Sequence, residues 1–293
     1  MRLKEAATWA LAAAATIAVT GGLISCKTGP LTACKAVTVT GDETFYMPVL
    51  ALVYAVYRGA TGVVLVSSLL AASSATVFLK ALIGSPRPPP EEWLVEASGP
   101  GFPSGHATLS AAFWTAAYGL SRDPRILLLG VLHASAVSYS RVALGVHYPV
   151  DVIGGLLVGS SIAALVYAFI NSRGLFPGVP LVLVASLLLS VIASLLDPSY
   201  QSSLKLSGLT LGSLAGYTMV IARYPDSLGA GGLSHRAIAG LIASAAHVAP
   251  LLAGDLGAPA AIPVFALYAL AVALSRPIAL LLAPGRIGES RLG

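Results

Sequence analysis

Cations and imidazoles gather at three short stretches of an otherwise apolar chain: Lys80 with Arg87-Pro88, then Pro103-Ser104-Gly105-His106, then Ser140-Arg141 followed by His147 and Asp151. A chain of 293 residues that is 56% apolar and 10% charged has little reason to keep ionisable groups beside apolar segments unless they act. Lys80, Arg87 and Arg141 in one pocket would repel one another unless a multiply charged anion joined them. Phosphate meets that demand, because an arginine fork matches its oxygens two at a time and lysine adds a mobile point charge. Ser104 and Gly105 open an apolar segment, where free backbone N–H groups and the positive helix end favour the same anion.

His147 and Asp151 stand four residues apart, on one face of a helix whose start is marked by Tyr148-Pro149. A carboxylate that accepts from one ring nitrogen fixes the tautomer, and the other nitrogen can then present its lone pair to phosphorus. His147 is therefore the candidate nucleophile and Asp151 its orienting partner. His106 suits a general acid that protonates the departing oxygen and later acts as base toward water. Lys80, Arg87, Ser104, Gly105 and Arg141 are the candidate phosphate ligands. The two cysteines, Cys26 and Cys34, have no His or Cys at metal-ligand spacing nearby, so neither a metal nor another cofactor is expected.

These residues must be positioned by membrane helices. A mean hydropathy of +0.85 is too high for a water-exposed surface, and several apolar runs approach the roughly 17 to 25 residues that cross a bilayer. The expected fold is all-α, a polytopic bundle of about ten helices at 6–25, 43–57, 60–83, 104–121, 125–144, 150–170, 178–196, 204–222, 237–254 and 260–283; alternating strands for a barrel are missing. With the N-terminus inside, Arg58, Arg122, Arg125, Arg173, Arg223, Arg236 and Arg276 fall on the cytoplasmic side. All three clusters then lie together on the opposite, extracytoplasmic side. The net charge of +5 is scattered singly, which argues against nucleic acid.

Smaller features carry expectations of their own. Cys26 and Cys34 can form one disulfide, although Leu23-Ile24-Ser25-Cys26 also resembles a lipoprotein processing site and the stretch after Arg2 and Lys4 a signal sequence; an uncleaved first helix is simpler. The proline-rich loop 84–103 is expected to be extended and non-helical. Gly208, Gly212 and Gly216 offer a close-packing face, which could also serve a homodimer. Ser104 is expected to cap its helix, and Asp42 and Glu43 to cap or orient the second one. His133 and His247 read as interhelical hydrogen-bonding residues, and His235 as solvated beside Arg236.

The three clusters, with six residues between Lys80 and Arg87-Pro88, Pro103-Ser104-Gly105-His106 intact, and five residues between Ser140-Arg141 and His147 and three more before Asp151, resemble the complete signature of the type 2 phosphatidic acid phosphatase superfamily. The resemblance covers about residues 42 to 170, and Asp42-Glu43 with Phe45 is similar to the sphingosine-phosphate phosphatase branch. It implies a six-helix membrane core, here residues 1–173, and metal-independent dephosphorylation with the roles given above. Residues 174–293 form an additional four-helix region on which the resemblance is silent. The expected activity is hydrolysis of a lipid phosphate or diphosphate in the cell membrane, on a polyprenyl, phosphatidate or sphingoid-base substrate. A lipid phosphotransferase, or a transporter of an anion or lipid, is the alternative.

Overall fold

The computed structural model describes residues 31–229, 232–246 and 258–282. The first expected helix, Cys26 and His247 lie outside the described residues. Among the described residues every regular element is helical. The helices are α1 (Leu31–Val39), α2 (Glu43–Leu52), α3 (Gly59–Ile83), α4 (Gly105–Ser121), α5 (Pro124–Ala143), α6 (Pro149–Arg173), α7 (Leu175–Leu196), α8 (Gln201–Arg223), α9 (Leu233–Ala246) and α10 (Ala258–Leu282). One π-helical stretch, Val53–Tyr57, continues α2. Residues 43–57 thus form the short second helix that the sequence implies.

Six of these helices, α3, α5, α6, α7, α8 and α10, are long and apolar enough to cross a bilayer. At 25 residues α3 and α6 each extend about 37 Å, more than the ~30 Å hydrocarbon core. Leu157, Leu195 and Leu281 are 63%, 75% and 74% exposed, an outward apolar surface suited to lipid rather than water. The protein is an integral membrane protein. Inside, hydroxyls return to their own helices: Ser67 and Ser68 donate to the Val63 and Val64 carbonyls at 2.8 and 2.9 Å, so neither hydroxyl is left bare in an apolar setting.

Antiparallel succession brings the end of α3, the start of α4, the end of α5 and the start of α6 to one end of the bundle. Side-chain-free surfaces then close the packing. A Cβ on Gly155 would sit 2.5 Å from the Ser104 carbonyl oxygen, and one on Gly159 would overlap the Thr108 carbonyl. This intimacy between α4 and α6 holds the two motif-bearing helix starts together. The last helices attach to the core through α7, which lies along α3, and α8, which packs on α7 and α10.

Several expectations are corrected. Residues 31–39, expected as loop, form α1, which packs on α5. The loop after α3 contains a 3-10 turn, Pro90–Glu92, because a proline at the first position of a helical turn lacks only an N–H that would be unpaired anyway. Ser104 occupies the cap position of α4, but its side chain makes no capping bond. The α8 glycines do support close packing, within one chain: Gly208 and Gly212 lie on the Ile262 and Ala266 carbonyls of α10, and Gly216 lies on Ala273. That face is covered by α10 within the chain.

Arg276 and His235 depart furthest from expectation. Arg276 is fully buried rather than facing the cytoplasm, and donates to the carbonyls of Tyr54, Ala55, Ser227 and Gly229. His235 is 2% exposed, not solvated, with Nε2 3.0 Å from the Arg276 carbonyl oxygen. His133 does bridge helices as expected: its Nδ1 accepts from Trp114 Nε1 at 3.0 Å, and its Nε2 lies 2.9 Å from Thr40 Oγ1. Cys34 is disulfide-bonded.

Candidate active site

The start of α6 organises the site. Pro149 takes the first helical position, and Asp151, at the third, accepts the Tyr148 N–H through Oδ2 at 2.9 Å while its own N–H donates to the Tyr148 carbonyl at 3.0 Å. This reciprocal cap fixes the carboxylate. The same Oδ2 lies 3.2 Å from His147 Nδ1, one turn away in sequence. Both side chains are buried. Asp151 also reaches α4, because its carbonyl accepts the Ser104 N–H at 2.9 Å.

On the other side of the imidazole, His147 Nε2 is 2.9 Å from Arg87 Nη1. Guanidinium nitrogens only donate, so Nε2 accepts and the ring proton sits on Nδ1, facing Asp151. The tautomer follows from the network itself. Burial first, then the charges of Arg87, Lys80, Arg141 and His106, push the His147 pKa far below its ordinary value. The ring is therefore neutral with its lone pair on Nε2.

Arg87 is anchored by the loop it belongs to. It donates from Nε to the Gly99 carbonyl at 2.9 Å, from Nη2 to Ser98 at 2.9 Å and from Nη1 to Val146 at 2.8 Å. Lys80 Nζ donates to the next two carbonyls, Pro100 and Gly101, the latter at 3.2 Å. Four consecutive carbonyls, 98 to 101, thus hold two cations. The loop is pinned at Gly145, whose backbone at φ +73° lets the Glu92 carbonyl approach where a side chain would stand. Leu94 N–H donates to the Leu144 carbonyl beside it at 3.0 Å.

Arg141, at the end of α5, donates from Nη1 to Thr38 Oγ1 at 2.9 Å, while its buried Nε has no partner among the described residues. His106, in the first turn of α4, has Nε2 3.3 Å from Asp42 Oδ2. The other oxygen of Asp42 accepts from Thr44 N at 2.9 Å and so caps α2. One cavity of about 330 Å³ is lined by Lys80, Arg87, Gly105, His106, Arg141 and His147. Ser104 is wholly buried beneath it, its Oγ without a partner among the described residues, whereas a Cβ on Gly105 would meet only open space.

Of the residues singled out from the sequence, Lys80, Arg87, Gly105, His106, Arg141 and His147 line the cavity, Asp151 stands behind His147, and Ser104 is not among the lining; two further residues, Asp42 and Thr38, join the network. Asp42 reads from the sequence as a residue that caps or orients the second helix, and in the structure it also meets His106. The signal for Asp42 was present, since an acid at the outer end of α2 must face the cationic cluster once α2 packs on α3. Thr38 carried none, because it lies on α1, a helix too short to leave a periodic pattern.

Fold and site together define a helical membrane protein with a histidine–carboxylate pair in a cationic pocket at one end of its bundle. Residues 61–175 match the PAP2 superfamily. The chain is 46% identical over 65 residues to an undecaprenyl-diphosphatase of Sulfolobus acidocaldarius, covering 22% of this chain and 31% of that one. To a decaprenylphosphoryl-5-phosphoribose phosphatase of Mycobacterium tuberculosis it is 36% identical over 98 residues, 32% of this chain and 53% of that one. To phosphatidylglycerophosphatase B of Haemophilus influenzae it is 29% identical, over 29% of this chain and 40% of that one. These matches span about a third to a half of the relatives' lengths. A transmembrane PAP2 type phosphatidylglycerolphosphate phosphatase from Bacillus subtilis superposes with a TM-score of 0.44 at 23% identity, over 56% of this chain and 88% of that one.

Proposed function

We propose that this protein is a lipid phosphate or lipid diphosphate phosphatase that works through a phosphohistidine at His147, without a metal. The observation that carries the proposal is the fixed imidazole: Nδ1 held by Asp151 and the Nε2 lone pair turned to a cavity with three cations. Nε2 attacks phosphorus, forming an N–P bond as the P–O bond to the lipid breaks. Burial and the pocket cations hold the His106 pKa well below its ordinary value, so His106 takes up its proton as the phosphate anion joins the pocket and gives it to the departing oxygen. Water then attacks phosphorus and passes a proton to His106 while the N–P bond breaks, returning its electron pair to Nε2 and releasing inorganic phosphate.

Arg87 now donates to the lone pair that must attack. A phosphate oxygen that takes over this N–H frees Nε2 and places guanidinium charge on the transferring group, where it counts most. Lys80, Arg141 and the backbone at Gly105 complete the cradle, and Asp42 steadies His106. The names of the relatives, each a phosphatase of a lipid-linked phosphate, favour polyprenyl phosphates or diphosphates and phosphatidyl headgroups, with sphingoid-base phosphate also in range. The separation of the pocket cations from Arg58, Arg122, Arg125, Arg173 and Arg223 at the other end of the bundle supports a site facing the extracytoplasmic side of the cell membrane.

The test is release of inorganic phosphate from a panel of these lipids by purified protein with EDTA present and no acceptor. Wild type should release phosphate and His147→Ala should lose about 10³-fold or more. Activity abolished by EDTA and restored by magnesium, or retained by His147→Ala, refutes the mechanism. Phosphate that appears only on an added alcohol acceptor would make the protein a transferase.

A further inference from the structure

The cavity that contains His147 continues well beyond the reacting groups, and its far part is walled by α3 together with α2, α8 and α10, the last three of which lie outside the matched residues 61–175. Past Lys80 the lining becomes mostly apolar, with Leu50 from α2, Leu69 from α3, Leu209 from α8 and Val272 from α10. The arm is deep. Lys80 to Val66 on α3 is 14 residues and Lys205 to Tyr217 on α8 is 12, or about 20 Å of helix rise in each case. That exceeds half of the ~30 Å hydrocarbon core.

We propose that α8 and α10 form the wall that selects the hydrocarbon tail of the substrate, which lies in this arm while its phosphate meets His147; the proposal rests on the lipid phosphatase reading. Continuity is the first reason, since a single cavity joins the cationic end to the apolar arm. Rigidity is the second. Gly208, Gly212 and Gly216 press α8 onto α10, so the two halves of the wall cannot separate to suit any tail. The third is a mechanical link to the reacting end: the Tyr200 ring, just before α8, rests on Gly99, whose carbonyl holds Arg87.

A tail that leaves the bilayer for this arm passes from one hydrocarbon environment to another, so it gains little from the hydrophobic effect. What the arm can do is discriminate by fit, because a tail that matches its shape packs closely against the wall and one that does not must clash with it or leave voids. Ser213 on α8 leaves the arm open at mid-depth with its small side chain. A bulky residue there should shorten the usable length.

The experiment compares kcat/KM for a homologous series of single-chain lipid phosphates in wild type, Ser213→Phe and Leu209→Trp. The ratio of long-chain to short-chain kcat/KM should fall at least about tenfold in either variant. An unchanged ratio in both overturns the proposal. Independently of turnover and of variant folding, wild type is photo-crosslinked with a long-chain lipid phosphate that carries a terminal diazirine. Label on α8 or α10 supports the wall; label confined to α4, α5 and α6, or none, overturns it. Label on α8 and α10 without hydrolysis of any lipid would leave the tail site standing and remove the phosphatase reading instead.

Discussion

His147 sits between an acceptor and a donor that together keep its single proton on Nδ1. Asp151 draws the proton to Nδ1, while Arg87, Lys80 and Arg141 oppose a second one on Nε2. In the unfolded chain the same group has an ordinary affinity, near pH 6.5. The unfolded state therefore binds more protons at mildly acidic pH, and the stability that this histidine contributes is present above about 6.5 and lost as pH falls below it. The nucleophilic lone pair itself survives that fall in the native state. In 15N-histidine NMR the His147 signals should remain those of a neutral Nδ1–H imidazole from pH 7 to about 5. A titration centred near 6.5 would contradict the arrangement.

At the scale of elements, the site depends on how closely α4 approaches α6. The Phe102 ring lies over Gly154, and Gly155 and Gly159 face carbonyls of Ser104 and Thr108. Gly155→Val should force α4 outward, moving Gly105 and His106 away from His147. Stability should fall by about 1 to 3 kcal/mol, and phosphate release should fall at least about tenfold. Thermal midpoint and activity in one preparation check this; a variant with full activity would show that the spacing does not matter. Nothing in the sequence assigns the Gly154-Gly155 pair to α4, because small residues state only that something can come close, not which helix it is. The short α1 was illegible for another reason: nine residues make too few turns for a hydrophobic period.

Across the whole molecule, Arg276 ties the C-terminal region to the core. Its guanidinium joins α10 to the end of α2, through Tyr54 and Ala55, and to the turn after α8, through Ser227 and Gly229. Its hydrogen bonds to described residues all end on carbonyl oxygens, so backbone dipoles surround the charge. Arg276→Leu leaves those four carbonyls without this donor in an apolar interior. The loss should be about 3 kcal/mol or more, read as a lower thermal midpoint in detergent, and a midpoint equal to wild type would deny the clamp. From sequence, Arg276 looked like one more cytoplasmic anchor, because charge at a helix end has the same appearance whether it meets water or carbonyls.

What the sequence determined by itself was local or periodic. Helix positions follow from apolar runs of spanning length, and the shared end of the three clusters follows from counting spans. The His147–Asp151 pair follows from a spacing of four on one helical face. The tertiary structure decided which groups meet across the chain: Arg87 on Nε2, Asp42 on His106, Thr38 on Arg141, and α8 with α10 along the arm of the cavity. Such contacts depend on rotation and separation of packed helices, which shape complementarity sets and a linear pattern does not encode.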